Sequence, residues 1–114
     1  MKIQLIEEVE IDEKGNEKIT KSKTYFSKKR LRGSDLQRTL STEKKISDSM
    51  KEEGFTEGNT NTMCEYICDY FGNQFTVEEL LDGIYLEDLL VIYNKISQEV
   101  SDRYLMKIQD TIKK

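Results

Sequence analysis

The sequence has no histidine, proline or tryptophan, only two cysteines, and no long apolar run. Each absence excludes something. Without histidine the chain lacks the side chain that titrates near neutral pH and the commonest metal ligand. Acid–base chemistry would have to fall on carboxylates, Lys or Tyr. No apolar stretch approaches the ~20 residues that a membrane-spanning helix needs, so no membrane association is expected. At the N-terminus Glu7 and Glu8 arrive before an apolar run can build, which predicts no signal peptide.

The two cysteines, Cys64 and Cys68, are spaced as neighbours on adjacent turns of one helix. They read as small buried hydrophobes. No further nitrogen or sulfur ligands lie nearby to complete a zinc site, and the spacing suits no relaxed disulfide. Reduced thiols and a cytoplasmic setting follow. No nucleophile has a recognisable base or oxyanion loop beside it, and there is no phosphate loop, dinucleotide fingerprint or calcium loop. The acidic pairs Glu78–Glu79 and Glu87–Asp88 are explained by the favourable field at a helix start. The chain is therefore expected to be a binding protein, with no enzymatic activity and no cofactor.

What the chain does have is charge. Charged residues make up 35% of it and hydrophobic residues 36%, which for 114 residues predicts one domain with a thin core. The charge is segregated. Residues 1–17 carry net −4, residues 18–45 net +8, residues 46–102 net −11 and residues 103–114 net +3. The modest total of −4 hides a basic segment ahead of an acidic body.

Hydrophobic periodicity predicts an α+β protein, mainly α: a short N-terminal β-hairpin followed by about four helices in a small orthogonal bundle. Over residues 2–11, Ile3, Leu5, Val9 and Ile11 share one parity, as in a strand with one apolar face. Residues 12–16 are turn-like, with Gly15 and Asn16 suited to positive φ, and residues 17–26 return as the second strand. The hairpin thus occupies 1–27, a basic connector 28–33, a helical body 34–106, and a frayed basic tail 107–114. Ser34 and Gln37 have capping-box spacing for helix one, with Leu36, Leu40, Ile46 and Met50 as its apolar stripe and a break near Ser41–Thr42. Glycines make 52–59 a loop, and Asn59 to Thr62 offer caps for helix two, which Gly72 ends. Thr76 caps helix three with Glu79, while Phe75 and Leu80 take hydrophobic-staple positions. Helix four runs from Leu86 to Met106, with Leu86, Leu89, Leu90, Tyr93, Ile96 and Val100 at helical spacing.

One cluster admits a functional reading. Lys21, Lys23, Lys28, Lys29, Arg30 and Arg32 surround Tyr25 and Phe26. Basic charge beside aromatics suits single-stranded nucleic acid, and a small nucleic-acid-binding regulator using residues 21–32 is the alternative function. The acidic body, which would repel phosphate, makes nucleic acid the weaker candidate. The same cluster fits docking on an acidic protein surface, or a strand edge guarded by lysines.

A second segment is distinctive as a whole. Phe71-Gly72-Asn73-Gln74-Phe75-Thr76 leads into an acidic–apolar turn that closes on Asp82-Gly83. This corner resembles the tail assembly chaperones of long-tailed, siphovirus-type phages and prophages of Gram-positive bacteria. The resemblance extends to the helix after it and to the strand pair, basic stretch and first helix before it. Members usually carry a proline ahead of the first helix, where this chain has Arg32-Gly33. The resemblance implies a protein of the bacterial host cytoplasm that binds and solubilises the tape measure protein. It further implies recruitment of major tail protein during tail morphogenesis, and absence from the mature virion. Self-association is a further expectation, because a lone hairpin and a thin core seek a partner. The corner residues Phe71, Gly72, Gln74, Phe75, Thr76, Asp82 and Gly83 look structural. The client-binding face is expected to combine Lys28, Lys29, Arg30 and Arg32 with exposed apolar positions of helix four such as Tyr93.

Overall fold

A computed structural model of the chain describes residues 1–27, 30–54 and 56–112, with side chains up to Arg103. Two strands and four helices follow in order, β1 Lys2–Ile11, β2 Glu17–Phe26, α1 Gly33–Glu53, α2 Glu57–Tyr70, α3 Val77–Gly83 and α4 Leu86–Ile112. The predicted hairpin and four helices are all present.

The strands pair antiparallel from Lys2 opposite Phe26 to Ile11 opposite Glu17, with an irregularity around Glu8 and Lys21. Their turn is organised by Asp12. Its carboxylate accepts the backbone N–H groups of Lys14 and Asn16, both at 2.9 Å. Gly15 takes φ 83° and donates its N–H to the Asp12 carbonyl at 3.0 Å. Of the two residues expected at positive φ, only Gly15 adopts it. The strand alternation is used only at the base of the hairpin. Ile3 and Leu5 are buried, whereas Val9, Ile11 and Ile19 are exposed. The hairpin is an arm, and the radius of gyration of 16.7 Å exceeds the roughly 13 Å of a compact domain of this length.

The core is built by α2, α3 and α4 on that base. Met63, Cys64, Tyr66, Ile67, Cys68, Tyr70 and Phe71 meet Leu80, Leu89, Ile92, Ile96 and Val100. On α4 the buried stripe departs from the expected one at its start. Leu86 is exposed and Ile92 is buried instead, because the helix rotates its first turn past the end of the core. The helix also continues to Ile112, beyond the expected Met106, so the backbone is helical where fraying was expected.

Helices α1 and α2 start earlier than predicted. Arg32, not Ser34, is the N-cap of α1, and Asp35 completes the turn by accepting the Arg32 N–H at 2.7 Å. A carboxylate is the stronger acceptor at a helix start, which is why Asp35 displaces the Ser34–Gln37 pairing. No break occurs at Ser41–Thr42. Thr56 caps α2 by accepting the Asn59 N–H at 3.2 Å, and the Asn59 amide donates to the Gly54 carbonyl at 2.9 Å. Asn59 therefore lies inside the first turn, and the loop between the helices shrinks accordingly.

The inward side of α1 also differs from expectation. Asp35, Thr39 and Thr42 are its buried residues, while Leu40 and Met50 point to solvent. Leu36 and Ile46 of the expected stripe are partly buried against the core, so only half of that stripe is turned away from it. Thr39 Oγ1 lies 2.6 Å from the Tyr66 hydroxyl.

Gly83 closes α3 directly on β1. A Cβ at this position would meet Leu5 Cβ at 3.0 Å and the Ile6 carbonyl oxygen at 3.2 Å. These atoms belong to strand backbone and its first side-chain carbon, so they cannot rotate away. Gly83→Ala is expected to destabilise the fold by about 1–3 kcal/mol through overpacking. Chemical denaturation checks this, with Gly33→Ala, which meets open space, as the mild control.

Candidate functional site

The corner between α2 and α3 is built by local rules. Phe71 is the C-cap of α2, and Gly72 and Asn73 take φ 72° and 57°. The Asn73 N–H returns to the Cys68 carbonyl at 2.8 Å and the Gly72 N–H to Asp69 at 2.9 Å. This pair of bonds is the Schellman termination, and it satisfies carbonyls that the helix end would otherwise leave open. Thr76 then starts α3. Its Oγ1 accepts the Glu79 N–H, and the Glu79 carboxylate accepts the Thr76 N–H, both at 3.1 Å. Phe75 and Leu80 are buried on either side of this cap, as the staple requires.

Gln74 joins the corner to the hairpin. Its Nε2 donates to the Phe26 carbonyl and to the Phe71 carbonyl, each at 2.7 Å. Rings continue the joint, with Tyr25 against Phe75 at 5.0 Å and Phe71 against Phe75 at 5.6 Å. Asp82 is exposed on α3.

The expected binding residues are distributed differently. Arg30 and Arg32 are exposed just ahead of α1, and Lys28 and Lys29 lie outside the described residues. Tyr93 is half-buried rather than exposed, its ring edge-on to Tyr66 at 5.6 Å. Its position on α4 turns it toward α1 and α2, where the aromatic pair gains more than a ring in water. The basic side chains of β2 are partly neutralised by β1. Lys21 pairs with Glu7 at 3.2 Å, Lys18 stands opposite Glu10, and Lys23 covers the Tyr25 ring at 5.2 Å.

Several polar links between helices were not legible in the sequence. Thr39 meets Tyr66, Ser97 donates to Glu43, Tyr70 donates to Glu99 at 2.7 Å, and Arg38 pairs with Asp69 at 3.2 Å. The one available signal was the spacing of Asp35, Thr39 and Thr42 on a single helix face. Among the described residues, no group of three or more Cys, Asp or Glu is placed to hold a metal, and no helix is long and apolar enough to cross a membrane.

A family profile described as phage tail chaperone protein matches residues 2–113. The chain belongs to the phage tail chaperone family. No match was found among the curated proteins or the solved structures. The match spans the hairpin, the corner and all four helices.

Burial within this chaperone body suppresses ionisation. It pushes the Cys64 and Cys68 thiols up from 9.0 to about 11. It also pushes Tyr70, which donates to Glu99, and Tyr93, which lies near Glu43, from 10.0 to about 12. All four groups hold their protons more tightly folded than unfolded. Stability is therefore unaffected by them at lower pH and falls as pH rises from about 9 toward about 12. Denaturant titrations across that range, followed by tyrosinate absorbance, should show the decline. At neutral pH both thiols should resist alkylation until the chain is unfolded.

Proposed function

We propose that this tail assembly chaperone binds the tape measure protein and keeps it soluble in the cytoplasm of the bacterial host. On this reading it helps bring major tail protein to the growing tail and leaves before the virion is complete. The observation that carries the reading is the match to the tail chaperone family over residues 2–113. The surface chemistry supports it. A chaperone for a long, apolar, helical client needs exposed apolar side chains set in a strongly charged surface that keeps the complex in solution. Val9, Ile11, Ile19, Phe26, Leu40 and Leu86 are such side chains, in a chain that is 35% charged.

The basic segment Lys28 to Arg32 is proposed as the charged part of the client face. Its described arginines, Arg30 and Arg32, are exposed just ahead of α1. The nucleic-acid alternative is disfavoured by the β1 acids that accompany the β2 lysines and by the engagement of Tyr25 with Phe75. Charge reversal at Lys29, Arg30 and Arg32 together should reduce co-purification of the co-expressed tape measure protein severalfold. Undiminished recovery removes the segment from the site. If the unaltered chain recovers no tape measure protein, the proposed client is wrong. Mass spectrometry of purified virions should find the chaperone missing, and its presence there in stoichiometric amount overturns the proposed departure.

A further inference from the structure

A groove of about 250 Å³ runs between the hairpin arm and the first turns of α4. Its middle is apolar. The arm supplies Ile6 and Ile19, and the other wall is Ile84, Tyr85 and Val91. Ile19, Tyr85 and Val91 remain 43%, 40% and 48% exposed. Val9, the register partner of Ile19, is exposed beside it. Contiguous apolar exposure of this kind marks a contact surface.

The ends of the groove carry opposite charge. Glu17 and Asp88 mark the end nearest α3, where the Tyr85 hydroxyl donates to the Glu17 carboxylate at 3.1 Å. Lys2 and Lys95 mark the other end. They are the lining residues farthest along β1 and α4 from the close approach of Gly83 to Ile6. Asp88, Lys2 and Lys95 are exposed and make no ion pair with any described residue. Asp88, Val91 and Lys95 follow one another at spacings of three and four, so they share one face of α4. Asp88 and Lys95 stand about 10 Å apart along the helix axis, with Val91 between them.

This order of charges selects the occupant. A purely acidic or purely basic partner answers one end of the groove and is repelled at the other. A second copy of the same chain, turned end for end, answers both. We propose that two copies pair through the arm–α4 groove, with their α4 helices antiparallel about a two-fold axis at Val91. Asp88 of each copy then faces Lys95 of the other, the two Val91 side chains meet, and the helix of one copy lies against Ile6 and Ile19 on the arm of the other. The contact uses the same surface on both copies, so it closes at a dimer and does not propagate. It takes Ile19 out of the apolar surface open to the client and leaves Phe26 and Leu40 there. The pairing is a property of the free chain and does not depend on which client it binds.

Sedimentation equilibrium of the full chain tests the pairing, with a dimer of the 13.4 kDa chain as the expected species. Asp88→Lys alone sets lysine against Lys95 across the axis, and Lys95→Asp alone sets aspartate against Asp88. Each single variant should therefore dimerise about tenfold more weakly, or worse. An equimolar mixture of the two variants restores both attractive pairs, and it should dimerise to within about threefold of the unaltered chain. Both side chains are exposed, so the variants should fold, and far-UV circular dichroism checks that they do. An unaltered chain that stays monomeric up to about 1 mM overturns the proposal, and gives the groove to another partner. Single variants that dimerise as tightly as the unaltered chain overturn it too, because the copies then meet elsewhere. A mixture no tighter than its components rejects the antiparallel two-fold arrangement and with it the proposal.

Discussion

The joint between the α2–α3 corner and the foot of the hairpin is the contact on which the rest of the fold depends. An isolated two-stranded hairpin is marginal in water, and most of this one is exposed. It is held by Ile3 and Leu5 in the core, by Gln74 on the Phe26 carbonyl, by Phe75 on Tyr25, and by the glycine at 83 that lets α3 lie against β1. Two buried aliphatic side chains, one amide, one ring contact and one missing side chain therefore set where two strands of ten residues stand. The residues that make the corner recognisable as a family motif are those that make this joint.

Around the joint, burial is unequally shared. The α2, α3 and α4 helices supply most of the closed apolar core, while α1 adds the partly buried Leu36 and Ile46 beside its buried threonines and Asp35. A thin core follows from a chain with about as many charged as hydrophobic residues. The physical consequence is a closed body that carries a largely exposed hairpin arm. On the proposed client-binding reading, the exposed apolar side chains of that arm are set within a strongly charged chain.

Much of this was readable from local signals. The strand parity of Ile3 and Leu5, the turn at Gly15, the stop at Gly72 and the cap at Thr76 each depend on one to four neighbouring residues, and each appears in the structure. The starts of α1 and α2 were misread for a local reason as well, since several residues in each stretch can cap and the better acceptor or the more complete turn wins. The face of α1 was half legible. Leu36 and Ile46 of the expected stripe pack on the core, but Leu40 and Met50 do not, because Thr39 is turned inward to meet the Tyr66 hydroxyl.

The sequence by itself determined the composition of the elements, the charged surface and the family corner, because these rest on side-chain chemistry and short-range backbone rules. Tertiary structure decided what those residues touch. Gln74 and Gly83 are ordinary polar and small residues until β1 and β2 arrive beside them, and Tyr93 is an exposed aromatic until Tyr66 meets it. Contacts between residues far apart in the chain depend on how whole helices settle against one another. No window of neighbouring residues contains that information.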